Sequence, residues 1–171
     1  MSEWLLIDGY NVINNWQEFK RIREESLEHA RALLVDYILE YSAFKLMQAI
    51  VVFDAQEVVG ALGTREEKFN NLAIVFTSEG ETADAWIERK TYELSANRHD
   101  VFVVTSDYAE QMMILGAGAY RISSRELRNE YLKTKKQIME LNEKVAGGLR
   151  RNEVSGRINN ETLEKLELLR R

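Results

Sequence analysis

Four short apolar runs punctuate the chain, at residues 4–7, 49–53, 72–76 and 101–104, and none alternates with polar positions. An uninterrupted apolar run bounded by polar segments is the pattern of a strand covered on both faces, as in a parallel sheet. Between the runs the period changes. Leu27, Ala30, Leu34, Ile38, Tyr41 and Phe44 recur at three-to-four spacing after Ser26, which can cap the helix they define. Thr82 is placed to cap a second helix reaching about Asn97, with Ala83, Trp86, Ile87 and Leu94 inward. A third helical stretch begins near Asp107 and stops at Gly116-Ala117-Gly118, and a short strand over residues 119–122 follows. Strands alternating with helices imply right-handed crossovers and an α/β fold, a parallel sheet flanked by helices on both faces.

Beyond residue 122 the pattern is purely helical, so the expected division is a body of residues 1–122 and a C-terminal helical extension of residues 123–171, packed on the body or projecting from it. Leu127, Tyr131, Thr134, Ile138, Leu141 and Val145 step by fours and threes, a seam of the coiled-coil type. Arg121, Arg125, Arg128, Lys135 and Lys136 gather on another flank, readable as a solvated face or as an RNA contact. Gly147-Gly148 is expected to end this helix. Residues 149–157 then read as a polar connector, and residues 160–171 as a last helix; Ile158, Leu163, Leu166 and Leu169 are available to pack back on the seam.

Composition removes several chemistries. Cysteine is absent from the 171 residues, which excludes disulfides, thiolate metal sites and a cysteine nucleophile. The two histidines, His29 and His99, are too few for a multi-histidine metal site and read as surface or capping groups. No run approaches the roughly 20 apolar residues of a membrane span, and the first residues lack a signal-peptide pattern. The expectation is a soluble, cytoplasmic protein with no membrane partner. Net charge is −5, but it is unevenly spread: residues 1–120 hold 10 basic and 20 acidic side chains, residues 121–171 hold 13 and 8. An acidic body with a basic tail can serve a polyanion while its acids are grouped for another purpose.

That purpose is visible where the strands end. Leu5-Leu6-Ile7 runs into Asp8, Val51-Val52-Phe53 into Asp54, and Val103-Val104-Thr105-Ser106 into Asp107. The carboxyl edge of an open α/β sheet is where ligands bind, and Asp84, in the first turn after Thr82, can point to the same edge. Each aspartate taken singly also reads as a helix cap. Together they repel, by about 3 kcal/mol for a pair about 5 Å apart at an effective dielectric near 20. A shared proton or a cation relieves the repulsion. Hard oxygen ligands without His or Cys select Mg²⁺, or Mn²⁺, over zinc. A divalent ion with open positions is suited to phosphodiester hydrolysis by water, and no side-chain nucleophile is evident. An aspartyl-nucleophile phosphatase would want a second Asp where Tyr10 stands.

These blocks carry a resemblance. Ile7-Asp8-Gly9-Tyr10-Asn11-Val12-Ile13, Val52-Phe53-Asp54-Ala55, Phe76-Thr77 with Glu81-Thr82-Ala83-Asp84, and Thr105-Ser106-Asp107 followed by Gln111 resemble, in order and spacing, the NYN-domain family with a PIN-like nuclease fold. More narrowly they are similar to its bacterial YacP branch of ribosome-associated endoribonucleases, through Gly118-Ala119 and Ser124-Arg125-Glu126-Leu127. The resemblance implies Asp8, Asp84 and Asp107 as metal-binding acids, Asp54 as a fourth acid of the pocket, and Asn11 as the residue positioning phosphate or metal water. It implies Ser106 and Thr82 as supporting hydrogen-bonders, with Glu81 reaching the metal through water. It also implies Mg²⁺-dependent cleavage of single-stranded RNA, mRNA on a translating ribosome, leaving 5′-phosphate and 3′-hydroxyl ends. One stretch departs from the pattern: relatives often carry His and Lys after the second acid, where this chain has Gln56-Glu57-Val58-Val59-Gly60.

The remaining candidates each have two readings. Tyr10 stacks a base or packs the first helical turn; Trp16 is a contact residue or core; Trp4 and Trp86 read as core, and Met112-Met113 as buried helix. The segment 56–68 reads as a long loop flanking the substrate groove or touching a partner. Arg125 and Arg128 are the candidate RNA contacts of the basic flank. Two rival functions stand beside the nuclease: a non-catalytic RNA- or ribosome-binding module retaining a structural metal, and a phosphatase acting on small nucleotides.

Overall fold

The computed structural model describes residues 1–54, 65–106 and 113–169, with backbone only for residue 65 and residues 151–169. The chain forms two compact units, Met1–Leu132 and Lys133–Arg171. In chain order the first contains β1 (Glu3–Asp8), α1 (Gly9–Asn15), a 3₁₀ turn (Gln17–Phe19), α2 (Lys20–Glu25), α3 (Leu27–Lys45), β2 (Gln48–Phe53), β3 (Arg65–Phe69), β4 (Leu72–Phe76), α4 (Ala83–Ala96), β5 (Asp100–Val104) and β6 (Tyr120–Ile122). A long helix, α5 (Ser124–Leu169), begins in this unit and supplies the second.

The described strands form one sheet in the order β3-β4-β2-β1-β5-β6, parallel throughout except for β3 against β4. Successive strand residues face opposite sides. Leu5, Ile7, Val51 and Phe53 therefore pack with Ala30, Leu34 and Ile38 of α3, while Leu6, Ile50, Val52 and Val103 pack with Ala83, Ile87 and Leu94 of α4. Both faces are covered, which is why the runs are apolar without alternation. Ser26 caps α3 through His29 N–H at 3.2 Å, and Thr82 caps α4 through Ala85 N–H at 3.2 Å, as the spacing predicts. Because β1 has β2 on one side and β5 on the other, the chain leaves this sheet position in opposite directions. The carboxyl ends of β1 and β5 therefore form the crevice in which open α/β sheets bind ligands.

Several expectations are corrected. Residues 65–69 of the supposed loop are an edge strand, paired antiparallel from Arg65 opposite Phe76 to Phe69 opposite Leu72. Charged residues at an exposed edge carry no apolar pattern, which hid it. The 55–64 part of that loop, with the departure at residues 56–60, lies outside the described residues. So do Asp107, Gln111, Met112 and the expected helix start. Residues 113–116 are helical and the chain turns at Gly118, which has φ +78°. Met113 is not buried, being 39% exposed. Gly147-Gly148 does not end a helix: α5 runs through it, so no separate last helix folds back on the seam. Glycine inside a helix costs only about 1 kcal/mol relative to alanine, and this chain has no proline to impose a stop. Leu127 and Tyr131 are buried at the seam's start, while Leu141 and Val145 are 51% and 62% exposed. No described helix is long and apolar enough to cross a membrane.

One contact sets how closely β1 and β2 end together. A Cβ on Gly9 would stand 2.3 Å from Phe53 Cε1, and the Phe53 ring is itself held between Tyr10 and Phe76, at 5.2 and 5.5 Å. Gly9→Ala should therefore cost about 1–3 kcal/mol in urea unfolding, since neither ring can swing away. Gly116→Ala, at a helical position with open space around it, should be neutral or stabilising by up to about 1 kcal/mol. Equal stability of the two variants would contradict this packing.

Candidate active site

Asp8 ends β1 and begins α1. Its carboxylate accepts from Asn11 N–H at 3.3 Å, so the capping reading of this aspartate is correct as far as it goes. Asp54 follows β2 directly, and Asp84 stands in the first turn of α4. Thus three elements far apart in sequence deliver carboxylates to one cleft of about 350 Å³, lined also by Tyr10, Asn11, Asn14 and Thr82.

The electrostatics of this grouping are unfavourable to full ionisation. Burial, then the neighbouring charge of Asp84 and a hydrogen bond with it, then Asp54, push the Asp8 carboxyl up to about 6. The Asn11 N–H acts in the opposite direction and does not prevail. Such a site accepts a proton or a cation. Among the described residues no three His, Cys, Asp or Glu side chains form a ready-made metal cage. Magnesium, however, is commonly held by one or two carboxylates, with water and substrate phosphate completing its shell. The Asp8–Asp84 pair, offering only oxygen donors, fits that requirement and not zinc.

Asn11 braces the crevice. Its Nδ2 donates to Ser106 Oγ, its Oδ1 accepts from Ser124 Oγ at 2.6 Å, and its backbone carbonyl accepts from Asn15 Nδ2 at 2.6 Å. One amide thereby ties the end of β1 to the chain after β5 and to the start of α5. Asp107 lies outside the described residues; Ser106, preceding it, is at this rim. The start of α5 is fixed in turn by a capping box, with Glu126 N–H donating to Ser123 Oγ at 3.1 Å and Ser123 N–H to Glu126 Oε2 at 2.7 Å. Trp16 is core, 2% exposed, its Nε1 donating to the Ser124 carbonyl at 2.8 Å, the core alternative of its two readings. Sequence reasoning missed Ser124 and Trp16 as supports of the site. The Ser-x-x-Glu spacing at residues 123–126 was the available signal.

Other candidates are already engaged. Thr82 Oγ is the α4 cap. Glu81 pairs with Arg89 at 2.7 Å and accepts from Ser78 Oγ at 3.3 Å, and it does not line the cleft. Tyr10 reaches the cleft wall but is 9% exposed with its ring against Phe53, the packing alternative of its two readings. Arg128 is committed to Glu18, donating from Nε at 2.8 Å and again from Nη2, so it is corrected from an RNA contact to a tie between α5 and the 3₁₀ turn. Arg125 is exposed.

The raised Asp8 carboxyl gives a pH prediction. An acid whose folded value, about 6, exceeds its ordinary 3.8 favours folding only while protonated. That contribution is full below 3.8, declines as pH rises, and is gone above about 6. Asp8→Asn keeps a cap of equal quality and removes the charge, so in EDTA at about pH 7.5 it should stabilise the fold by about 1–3 kcal/mol. The gain should vanish near about pH 3.5 in thermal unfolding. A gain that is the same at both pH values would contradict the raised Asp8 carboxyl, and with it the burial and crowding that cause it.

Comparison with known proteins places the chain in a family. The profile of the YacP-like NYN domain matches residues 5–171. The YacP protein of Bacillus subtilis (strain 168) is 40% identical over 126 residues, 74% of this chain and 73% of that one. The crystal structure of Rae1 (YacP) from Bacillus subtilis superposes with a TM-score of 0.74 at 35% identity, covering 98% of this chain and 94% of that one. The crystal structure of a tryptophan-to-leucine mutant of the same protein gives 0.73 at 35% identity, over 86% and 85%. The chain therefore belongs to the YacP-like NYN domain family and has its nuclease-like fold.

Proposed function

We propose that this protein is a metal-dependent endoribonuclease that cleaves single-stranded RNA with an activated water. The observation that carries the reading is the convergence of Asp8, Asp54 and Asp84 at one rim, where burial first and the neighbouring acids second push Asp8 up to about 6. Structural carboxylates are seldom left in mutual repulsion; acids that hold a cation against a polyanion are.

Asp8 and Asp84, with Asp107, are the residues that would hold Mg²⁺ or Mn²⁺. When bound, such an ion supplies charge neutralisation at the phosphate and a more acidic water. Asp54 orients the attacking water and takes its proton. The water oxygen bonds to phosphorus as the bond to the 3′ oxygen breaks, leaving a 5′-phosphate and, after protonation, a 3′-hydroxyl. Asn11 acts as a positioning residue, since its amide is held by Ser106 and Ser124 and fixes Asp8 relative to the end of β5. Thr82, as cap of α4, fixes Asp84. On the family likeness the proposal extends to a cytoplasmic enzyme acting on mRNA presented by the ribosome.

A labelled single-stranded RNA incubated with the protein and Mg²⁺ should be cut, and EDTA should stop the reaction. Asp84→Asn, a change at an exposed position, should slow cleavage at least about 100-fold. Cleavage that survives both chelation and Asp84→Asn would overturn the metal mechanism. Turnover of a mononucleotide in place of RNA would favour a phosphatase instead.

A further inference from the structure

Tyr10 and Asn14 stand one helical turn apart on α1, and both line the cleft that holds Asp8, Asp54 and Asp84. Behind each is an arginine from another helix. Arg31 of α3 donates from Nη1 to the Tyr10 hydroxyl at 3.1 Å. Arg23 of α2 donates from Nη1 to the Asn14 carbonyl at 2.9 Å and to its Oδ1 at 3.3 Å. Elsewhere in this unit Arg21 is paired with Glu25, Arg89 with Glu81 and Arg128 with Glu18. Among the described residues Arg23 and Arg31 have no such acid partner.

A guanidinium carries five N–H donors in a rigid fork, and these contacts occupy only part of each. Both side chains are half-buried, so they are held in place yet reachable. Each is hydrogen-bonded to a residue that lines the acidic cleft, on a body where an entering polyanion would otherwise be repelled. We infer that Arg23 and Arg31 form a phosphate rail along the α1 side of the cleft, gripping the backbone of single-stranded RNA beside the bond to be cut. The inference rests on the nuclease reading and assigns the path of the strand within that site. It places RNA contacts on α2 and α3, a region where charge patterning along the sequence gives no signal because Arg23 and Arg31 lie among acidic residues.

The test is binding without cleavage. In the Asp84→Asn protein in EDTA, the anisotropy of a fluorescein-labelled single-stranded RNA gives Kd across a salt series. Arg23→Gln and Arg31→Gln should each weaken binding about five- to tenfold at low salt and lower the salt slope by about 0.7. Arg31→Lys, which keeps the charge, should stay within about threefold of its parent, separating loss of a phosphate contact from loss of packing against Tyr10. Arg21→Gln, removing a paired arginine of the same helix as Arg23, should change Kd less than about twofold. Unchanged Kd and slope in both glutamine variants would overturn the rail and leave the nuclease reading standing. Failure of the parent to bind RNA even at low salt would also overturn the rail, while the nuclease reading is decided separately by the cleavage assay with Mg²⁺.

Discussion

The burial of Asp8 at the end of β1, with Asp84 and Asp54 beside it, is the constraint on which the rest of the site depends. A helix cap contributes about 1 kcal/mol, whereas raising a buried carboxyl from 3.8 to about 6 costs on the order of 3 kcal/mol at neutral pH. The cap at Asn11 therefore does not explain why an aspartate stands at the end of β1. The fold carries the deficit through its core, where Leu5, Leu6 and Ile7, the residues leading to Asp8, are fully buried. The strand can end in a charge because what precedes it is anchored without reserve.

Rigidity at the crevice comes from contacts between remote segments. Gly9 lets the first turn of α1 rest on Phe53, bringing the ends of β1 and β2 together. Asn11 joins β1 to Ser106 and to Ser124, and Trp16 and Arg128 then fasten the start of α5 to the segment after α1. The beginning of α5 is thus part of the site's support. A site held by such a shell keeps its acids in one geometry when a ligand arrives, and the ordering cost is met in folding instead of binding.

Much of this was legible in the sequence, for identifiable reasons. The four apolar runs and the caps Ser26 and Thr82 are local signals, and they located the parallel strands, α3 and α4. The acids at strand ends located the rim, because topology alone takes carboxyl ends of parallel strands to one edge. What escaped was non-local or weakly patterned. Arg128 looked like free positive charge because its partner, Glu18, is 110 positions away. Trp16 sits among polar neighbours but faces the core from the end of a short helix whose Gly-Tyr-Asn-Val-Ile-Asn-Asn sequence has poor intrinsic propensity. The strand β3 is too charged to announce itself, and the paired glycines of α5 mimic a stop that the surrounding helix formers override.

The central claim, that these carboxylates hold a divalent cation, is tested most directly by anomalous diffraction from crystals soaked in Mn²⁺. A single strong peak or a close pair is expected in the cleft, about 2.0–2.3 Å from oxygens of both Asp8 and Asp84. Saturating Mn²⁺ with no peak between those two side chains, or with ions bound only elsewhere on the surface, would contradict it.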